Sequence, residues 1–324
     1  MKYYYVILGS NLDYYKICYK DLEKIDYAKY VCSDIYGNKF QKMLYRIHNS
    51  EKINNIIKIP GKSIWFKKML NINVKIPVCF VFFTNTKKFE SIEYGYIDFL
   101  KKEYPNSKFV CFYQDIVALK RKLDIEKVKE LFDIVISFDK KDCEKYKLLY
   151  YPDVYSKYEI KENKIDIDVY FVGRAKDRLL ELYKVYDLLE KKGCKCKFKL
   201  IGVPEKKRIQ REGIEYFDKN ISYLQIIKDI QKSYAILEIM QGGAVGYTLR
   251  TCEAIAYDKL LITNNIEIKN ADFYDKDNIK IIIPDKYEEI TLNEIRTEHK
   301  FSQDIKSNLS PINFLHFIDE RLEL

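Results

Sequence analysis

Twice along this chain, short runs rich in β-branched and aromatic residues alternate with amphipathic segments, and an aperiodic stretch separates the two sets. Apolar runs buried on both faces suit parallel strands, and each parallel pair needs a crossover, which an amphipathic helix supplies. The first set has strand-type runs at residues 4–8, 78–83, 109–113 and 133–138, with helix-type segments at 62–69, 92–103 and 125–132. Residues 11–59 carry many Tyr and Lys without a steady period and predict no particular element. The second set has strands at 168–172, 197–201, 215–217, 234–239, 259–263 and 279–283, and helices at 176–191, 223–232 and 248–257. Leu179, Leu182, Tyr186 and Leu189 recur at helical spacing before Gly193, which reads as a stop. Ser222 and Gln225 form a capping-box pattern. The expected fold is therefore α/β, with two doubly wound Rossmann-like domains facing a cleft. The first domain is expected over 1–152 and the second over 165–305, with a linker in YYPDVYSKYEIKENK at 150–164.

Composition narrows the possible partners. A length of 324 residues fits two domains of ordinary size, and 47% apolar residues suffice for two cores. Lys and Arg exceed Asp and Glu by 57 to 48, a net charge of +9, but as single residues and pairs such as Lys101-Lys102. No block or aromatic-interleaved motif predicts nucleic-acid binding. The diffuse charge favours anionic partners, a nucleotide diphosphate or the inner face of a membrane, or is a solvated lysine-rich surface. The only close pair among eight cysteines is Cys194 and Cys196, and several others lie in apolar runs, so a reducing, cytoplasmic setting is expected. MKYYYVILGS reads as a first buried strand and not a signal peptide, and no run of ~18–20 apolar residues occurs. Any membrane contact is then expected to be peripheral.

Three places carry residues suited to chemistry. The first is Gly173-Arg174-Ala175-Lys176, at the end of the first strand of the second set. Ligands of open parallel sheets bind beyond the carboxyl ends of strands, where Arg174 and Lys176 would meet a phosphate; the same residues also suit an ordinary solvated turn. The second is the segment from Ile239 to Glu253, with Gly242, Gly243 and Gly246 between a strand and a helix that opens near Thr248. Such a loop offers backbone N–H groups to an anion, and Arg250 and Glu253, three apart on one helix face, would meet phosphate and ribose or sugar hydroxyls, or simply pair with each other. Its spacing matches neither a dinucleotide fingerprint nor a Walker motif. The third is Asp115, after the run FVCFY, which suits a general base or equally a helix N-cap. His48, His299 and His316 are far apart, and Asp166 and Asp168 precede a strand, so no metal site is expected.

Together DVYFVGRAKDR, FDIVISFDKKDCEKYKLLYYPDVYS and YAILEIMQGGAVGYTLRTCEAIAYDKLLITNN resemble bacterial capsule and lipopolysaccharide glycosyltransferases of the GT-B fold, over residues 109–284. The resemblance implies an acceptor-side first domain and a second domain that binds a nucleotide sugar, UDP- or GDP-linked, with no cofactor and no metal. It implies diphosphate contacts from Gly173, Arg174, Lys176, Gly242, Gly243, Gly246, Thr248 and Arg250, and ribose contacts from Glu253. The acceptor would be a glycan or a lipid-linked glycan. Residues 306–324 would be a C-terminal helix packing back on the first domain, or else a dimer contact. Where many retaining members carry a second Glu, this chain has Val245. Two rival readings are a nucleotide-sugar epimerase of the same plan and a catalytically inactive partner in polysaccharide assembly.

Overall fold

The computed structural model of the chain describes residues 1–9, 12–32, 38–48, 50–57, 59–61, 64–65, 70, 72, 74–84, 95–117, 124–160, 164–241, 246–283 and 290–323. The chain divides into two compact units, Met1–Tyr151 with Pro311–Leu324, and Pro152–Ser310.

The first unit begins with β1 (Tyr4–Gly9), α1 (Asp13–Cys18), a 3₁₀ turn over Lys20–Lys24, β2 (Ala28–Cys32), α2 (Lys39–His48) and α3 (Glu51–Asn54). It continues with β3 (Val78–Phe83), α4 (Tyr96–Glu103), β4 (Lys108–Tyr113), α5 (Ile125–Leu131), β5 (Ile134–Ser137), α6 (Lys140–Tyr146) and β6 (Leu149–Tyr150). Its strands form one parallel sheet in the order β2-β1-β3-β4-β5-β6. β3, VCFVFF, is buried at every position because helices cover both faces of the sheet centre. Phe80, Phe82, Phe109 and Tyr96 pack there ring against ring.

The second unit runs β7 (Ile167–Arg174), α7 (Leu179–Lys191), β8 (Cys196–Ile201), β9 (Ile214–Phe217), α8 (Tyr223–Gln231), β10 (Ser233–Glu238), α9 (Leu249–Tyr257), β11 (Leu260–Thr263), β12 (Ile279–Ile281), α10 (Leu292–Arg296) and α11 (Gln303–Asn308). The sheet is again parallel, in the order β12-β11-β10-β7-β8-β9. α7 buries Leu182, Val185, Tyr186 and Leu189 against it and ends at Gly193, whose φ of +80° suits a residue without Cβ. The last helix, α12 (Pro311–Leu322), returns to the first unit.

Each unit is a doubly wound Rossmann-like α/β layer, and each strand expected from the sequence is present within two residues of its expected ends. The helix expected at 62–69 lies mostly outside the described residues, and that at 92–103 is seen from Tyr96. The Ser222–Gln225 capping box does not form: the Ser222 side chain caps nothing, and Gln225 Nε2 instead reaches Asp229 Oδ1 at 3.5 Å. A full capping box occurs at Thr291 and Glu294, on α10. From Pro152 to Ile160 the stretch read as a linker belongs to the second unit, with Val154, Tyr155 and Ser156 buried and Tyr155 N donating to Leu309 O at 2.7 Å. Asp168 is a structural ion-pair partner: it accepts from Arg296 Nε and Nη2 at 2.7 and 3.0 Å and from Lys195 N at 2.7 Å.

Candidate functional site

In the second sheet, β7 and β10 are neighbours although their crossovers leave in opposite directions, to β8 and to β11. Such a reversal opens a crevice beyond the carboxyl ends of the two strands. β7 delivers Arg174 there, and β10 delivers Glu238 and the segment Ile239-Met240-Gln241 that follows it. Arg174 Nη2 donates to Asn220 Oδ1 at 3.1 Å, and Lys176 Nζ donates to Gln241 Oε1 at 3.1 Å. Lys176 has φ +46°, a left-handed conformation that costs a residue with a Cβ, in the turn that aims its side chain at the segment after β10. Arg178 ties the two together, donating Nη1 to Ile239 O and Nη2 to Arg174 O at 3.1 Å. Burial holds its guanidinium pKa below the ordinary arginine value. Among the described residues no carboxylate pairs with these three cations. Their partners are amide and carbonyl oxygens, which orient a guanidinium or ammonium without cancelling its charge.

Behind this edge lies a buried carboxylate. Glu238 Oε2 accepts from Thr263 Oγ1 at 2.6 Å, and Oε1 accepts from Thr251 Oγ1 at 2.9 Å and from Thr248 Oγ1. Three hydroxyl donors satisfy a charge that burial would otherwise penalise heavily. Thr248 also caps α9, its Oγ1 accepting from Arg250 N at 3.1 Å. Gly246 is buried, and its carbonyl accepts from Asn265 Nδ2 at 3.3 Å. Gly242, Gly243 and Val245 lie outside the described residues.

Arg250 and Glu253 face inward from α9. Glu253 is fully buried, ion-paired with Arg250, and accepts from Tyr223 Oη at 2.6 Å. Tyr223 Oη lies 3.2 Å from Tyr155 Oη, which lies 3.4 Å from Tyr257 Oη. Burial pushes the Glu253 carboxyl above the usual carboxylate range, against the opposing pull of Arg250 and Tyr223. Asp115, in the other unit, follows β4 in a bend. Its neighbour Gln114 is fixed by Tyr15 Oη, which donates to Oε1 at 2.8 Å, and donates Nε2 to Tyr19 Oη at 3.3 Å.

The structure thus brings Gly173, Arg174 and Lys176 to the crevice together with Gln241, the last described residue before the glycine-rich stretch. It turns Arg250 and Glu253 toward each other and leaves Asp115 on a different sheet. Sequence reasoning missed Arg178, Glu238 and Tyr223. A Glu closing the apolar run YAILE, with Thr at 248, 251 and 263, was a signal for the second of these.

No family model matches this chain, and no curated protein does. Solved structures do. An α-glucosyltransferase in complex with UDP and a 13-mer DNA containing an HMU base is similar over 99% of this chain and 99% of its own, with a TM-score of 0.60 at 10% identity. A UDP-forming α,α-trehalose-phosphate synthase from Burkholderia xenovorans covers the same shares, with a TM-score of 0.53 at 10% identity. The DNA modifying enzyme β-glucosyltransferase matches 99% of this chain and 100% of its own, with a TM-score of 0.50 at 15% identity. The likeness is one of fold: two Rossmann-like α/β units on the GT-B plan.

Proposed function

We propose that this chain is a glycosyltransferase that takes a sugar from a UDP-linked donor and passes it to a glycan or lipid-linked acceptor in bacterial surface polysaccharide synthesis. The observation that carries this reading is the convergence of Arg174, Lys176 and Arg178 at the β7–β10 crevice, where their hydrogen-bond partners among the described residues are all neutral oxygens. A diphosphate would meet three cations that no ion pair among the described residues already occupies. UDP is favoured over GDP because structures of the same fold hold UDP.

In this reading Gly173, Arg174, Lys176, Gly242, Gly243, Gly246, Thr248 and Arg250 line the diphosphate side, and Glu253 belongs to the ribose side. As the bond from the anomeric carbon to the diphosphate oxygen breaks, the electron pair leaves with UDP, and the three cations stabilise that charge without a metal ion. Asp115 is assigned the proton of the acceptor hydroxyl. A lipid-linked acceptor would be met at the inner face of a membrane, toward which a net charge of +9 draws the chain.

A thermal-shift screen with UDP, GDP, CMP and UDP-glucose tests the donor site, since a ligand of the folded state raises apparent stability. UDP is expected to give the shift. Arg174→Ala or Lys176→Ala is expected to weaken UDP by roughly 10–100-fold, the worth of one charge-assisted hydrogen bond. No shift with any nucleotide would favour the inactive-partner reading. Transfer assays that include EDTA and a DNA acceptor test the rest: sensitivity to EDTA would overturn metal independence, and transfer to DNA alone would overturn the glycan acceptor.

A further inference from the structure

Helix α2 has the sequence KFQKMLYRIH and buries none of its ten residues. One face is nevertheless anchored. Tyr45 packs edge-on against Trp65 with ring centroids 5.6 Å apart. His48 Nδ1 accepts from Trp65 Nε1 at 2.7 Å, which leaves the proton on Nε2 to be donated to Pro60 O at 2.8 Å. With that face turned to the protein, Phe40, Met43, Leu44 and Ile47 fall at i, i+3, i+4 and i+7 on an outward face. They are 61%, 49%, 39% and 45% exposed. Single exposed apolar residues are ordinary, but four large ones on one helical stripe are not. Shortly after α3, which Asn54 ties to α2 by donating to His48 O at 2.9 Å, Ile56 and Ile57 are 84% and 66% exposed.

The adjoining face of α2 carries Lys39, Lys42 and Arg46, and the helix contains no acidic residue. Among the described residues no carboxylate pairs with these cations. An apolar stripe beside an all-cationic one is the pattern of a helix lying in the plane of a bilayer interface. Its apolar side enters the headgroup boundary while Lys and Arg reach the phosphates. A second copy of the chain would set two such cationic rows against each other, whereas an anionic lipid surface complements them.

We propose that α2 is a membrane-docking element that seats the first unit on an anionic phospholipid bilayer. This assigns a surface to the membrane contact proposed above, and it is tested without donor or acceptor, so its failure leaves the sugar-transfer reading standing.

The test is co-sedimentation of the full chain with vesicles of phosphatidylcholine mixed equally with phosphatidylglycerol, and with vesicles of phosphatidylcholine alone, at low and high salt. The wild type is expected to pellet with the mixed vesicles at low salt and largely to stay in solution otherwise. A Leu44→Ser, Ile47→Ser variant and a Lys39→Glu, Lys42→Glu, Arg46→Glu variant are each expected to bind less. For the charge variant the loss is on the order of 100-fold, from three cations near an anionic surface. All these positions are exposed, so circular dichroism and Tm should match the wild type. Failure of the wild type to pellet with mixed vesicles, or wild-type binding by either variant, would overturn the proposal. So would a wild type that binds no vesicle but forms a dimer, seen by light scattering, that the Leu44, Ile47 variant loses; the stripe would then be a self-interface.

Discussion

Arg250 and Glu253 are a buried pair, so each determines what happens when the other is removed. Taking away one partner strands a charge where water cannot reach it, at a cost of about 3–5 kcal/mol. Arg250→Met is therefore expected to lower unfolding free energy by that amount in a urea titration, and Glu253→Gln added to it should recover most of the loss. Glu253→Ala then tests more than ligand contact, whereas Arg174 and Lys176, held at the edge by Asn220 and Gln241, can be changed with less effect on the fold. Lys259 gives a different signature. Burial lowers its ammonium from about 10.5 to about 8, and among the described residues its Nζ finds only Gln231 O, at 3.3 Å. Between those two values the unfolded chain binds a proton that the folded chain lacks, so stability rises with pH across that window. Below about 8 both states hold the proton and the burial cost is at its full value. Lys259→Met is expected to stabilise the protein at neutral pH by roughly 1–2 kcal/mol and to flatten the alkaline rise, as chemical denaturation on either side of the window would show.

Among the elements, those that bury a stripe were legible and those that do not were not. β3 and α7 announce themselves through VCFVFF and the Leu179, Leu182, Tyr186, Leu189 period. β2 is an edge strand in which only Ala28 is buried and leaves no apolar period, whereas α2 carries its apolar stripe on an outward face and buries none of it. α12 shows the opposite case, a short apolar stripe whose destination no local pattern reveals. Phe314, Leu315 and Ile318 are fully buried, the Phe314 ring lies tilted against Phe112 and Tyr151 with centroids 5.0 and 4.8 Å away, and Asp319 Oδ1 accepts from Tyr5 Oη at 2.6 Å. Phe314→Ala is expected to cost about 3–5 kcal/mol, the range for deleting a buried ring. Because α12 belongs to the first unit, hydrogen exchange in that variant should quicken first in β4 and β1.

For the whole molecule, the chain passes between units near Tyr151 and again near Ser310, so the first unit is completed only after the second has been made. A donor bound at the β7–β10 crevice would stabilise the second unit by about 2.7 kcal/mol at a hundredfold excess over Kd. Hydrogen exchange should accordingly slow at the ends of β7 and β10. The α/β class, the two sheets and every strand position but those of β2 and β6 followed from sequence, because burial on both faces forces apolar runs and parallel pairing forces crossovers. So did the candidacy of Arg174 and Lys176, since the end of a strand can be read from its pattern. Which strands lie side by side cannot be, because adjacency depends on contacts between residues far apart in the chain. That adjacency puts Arg178 against Ile239, surrounds Glu238 with Thr248, Thr251 and Thr263, and turns Arg250 inward to Glu253 and Tyr223. Only the tertiary structure decided these contacts, because each joins side chains whose local sequence fits a solvated turn or an ordinary helix face equally well.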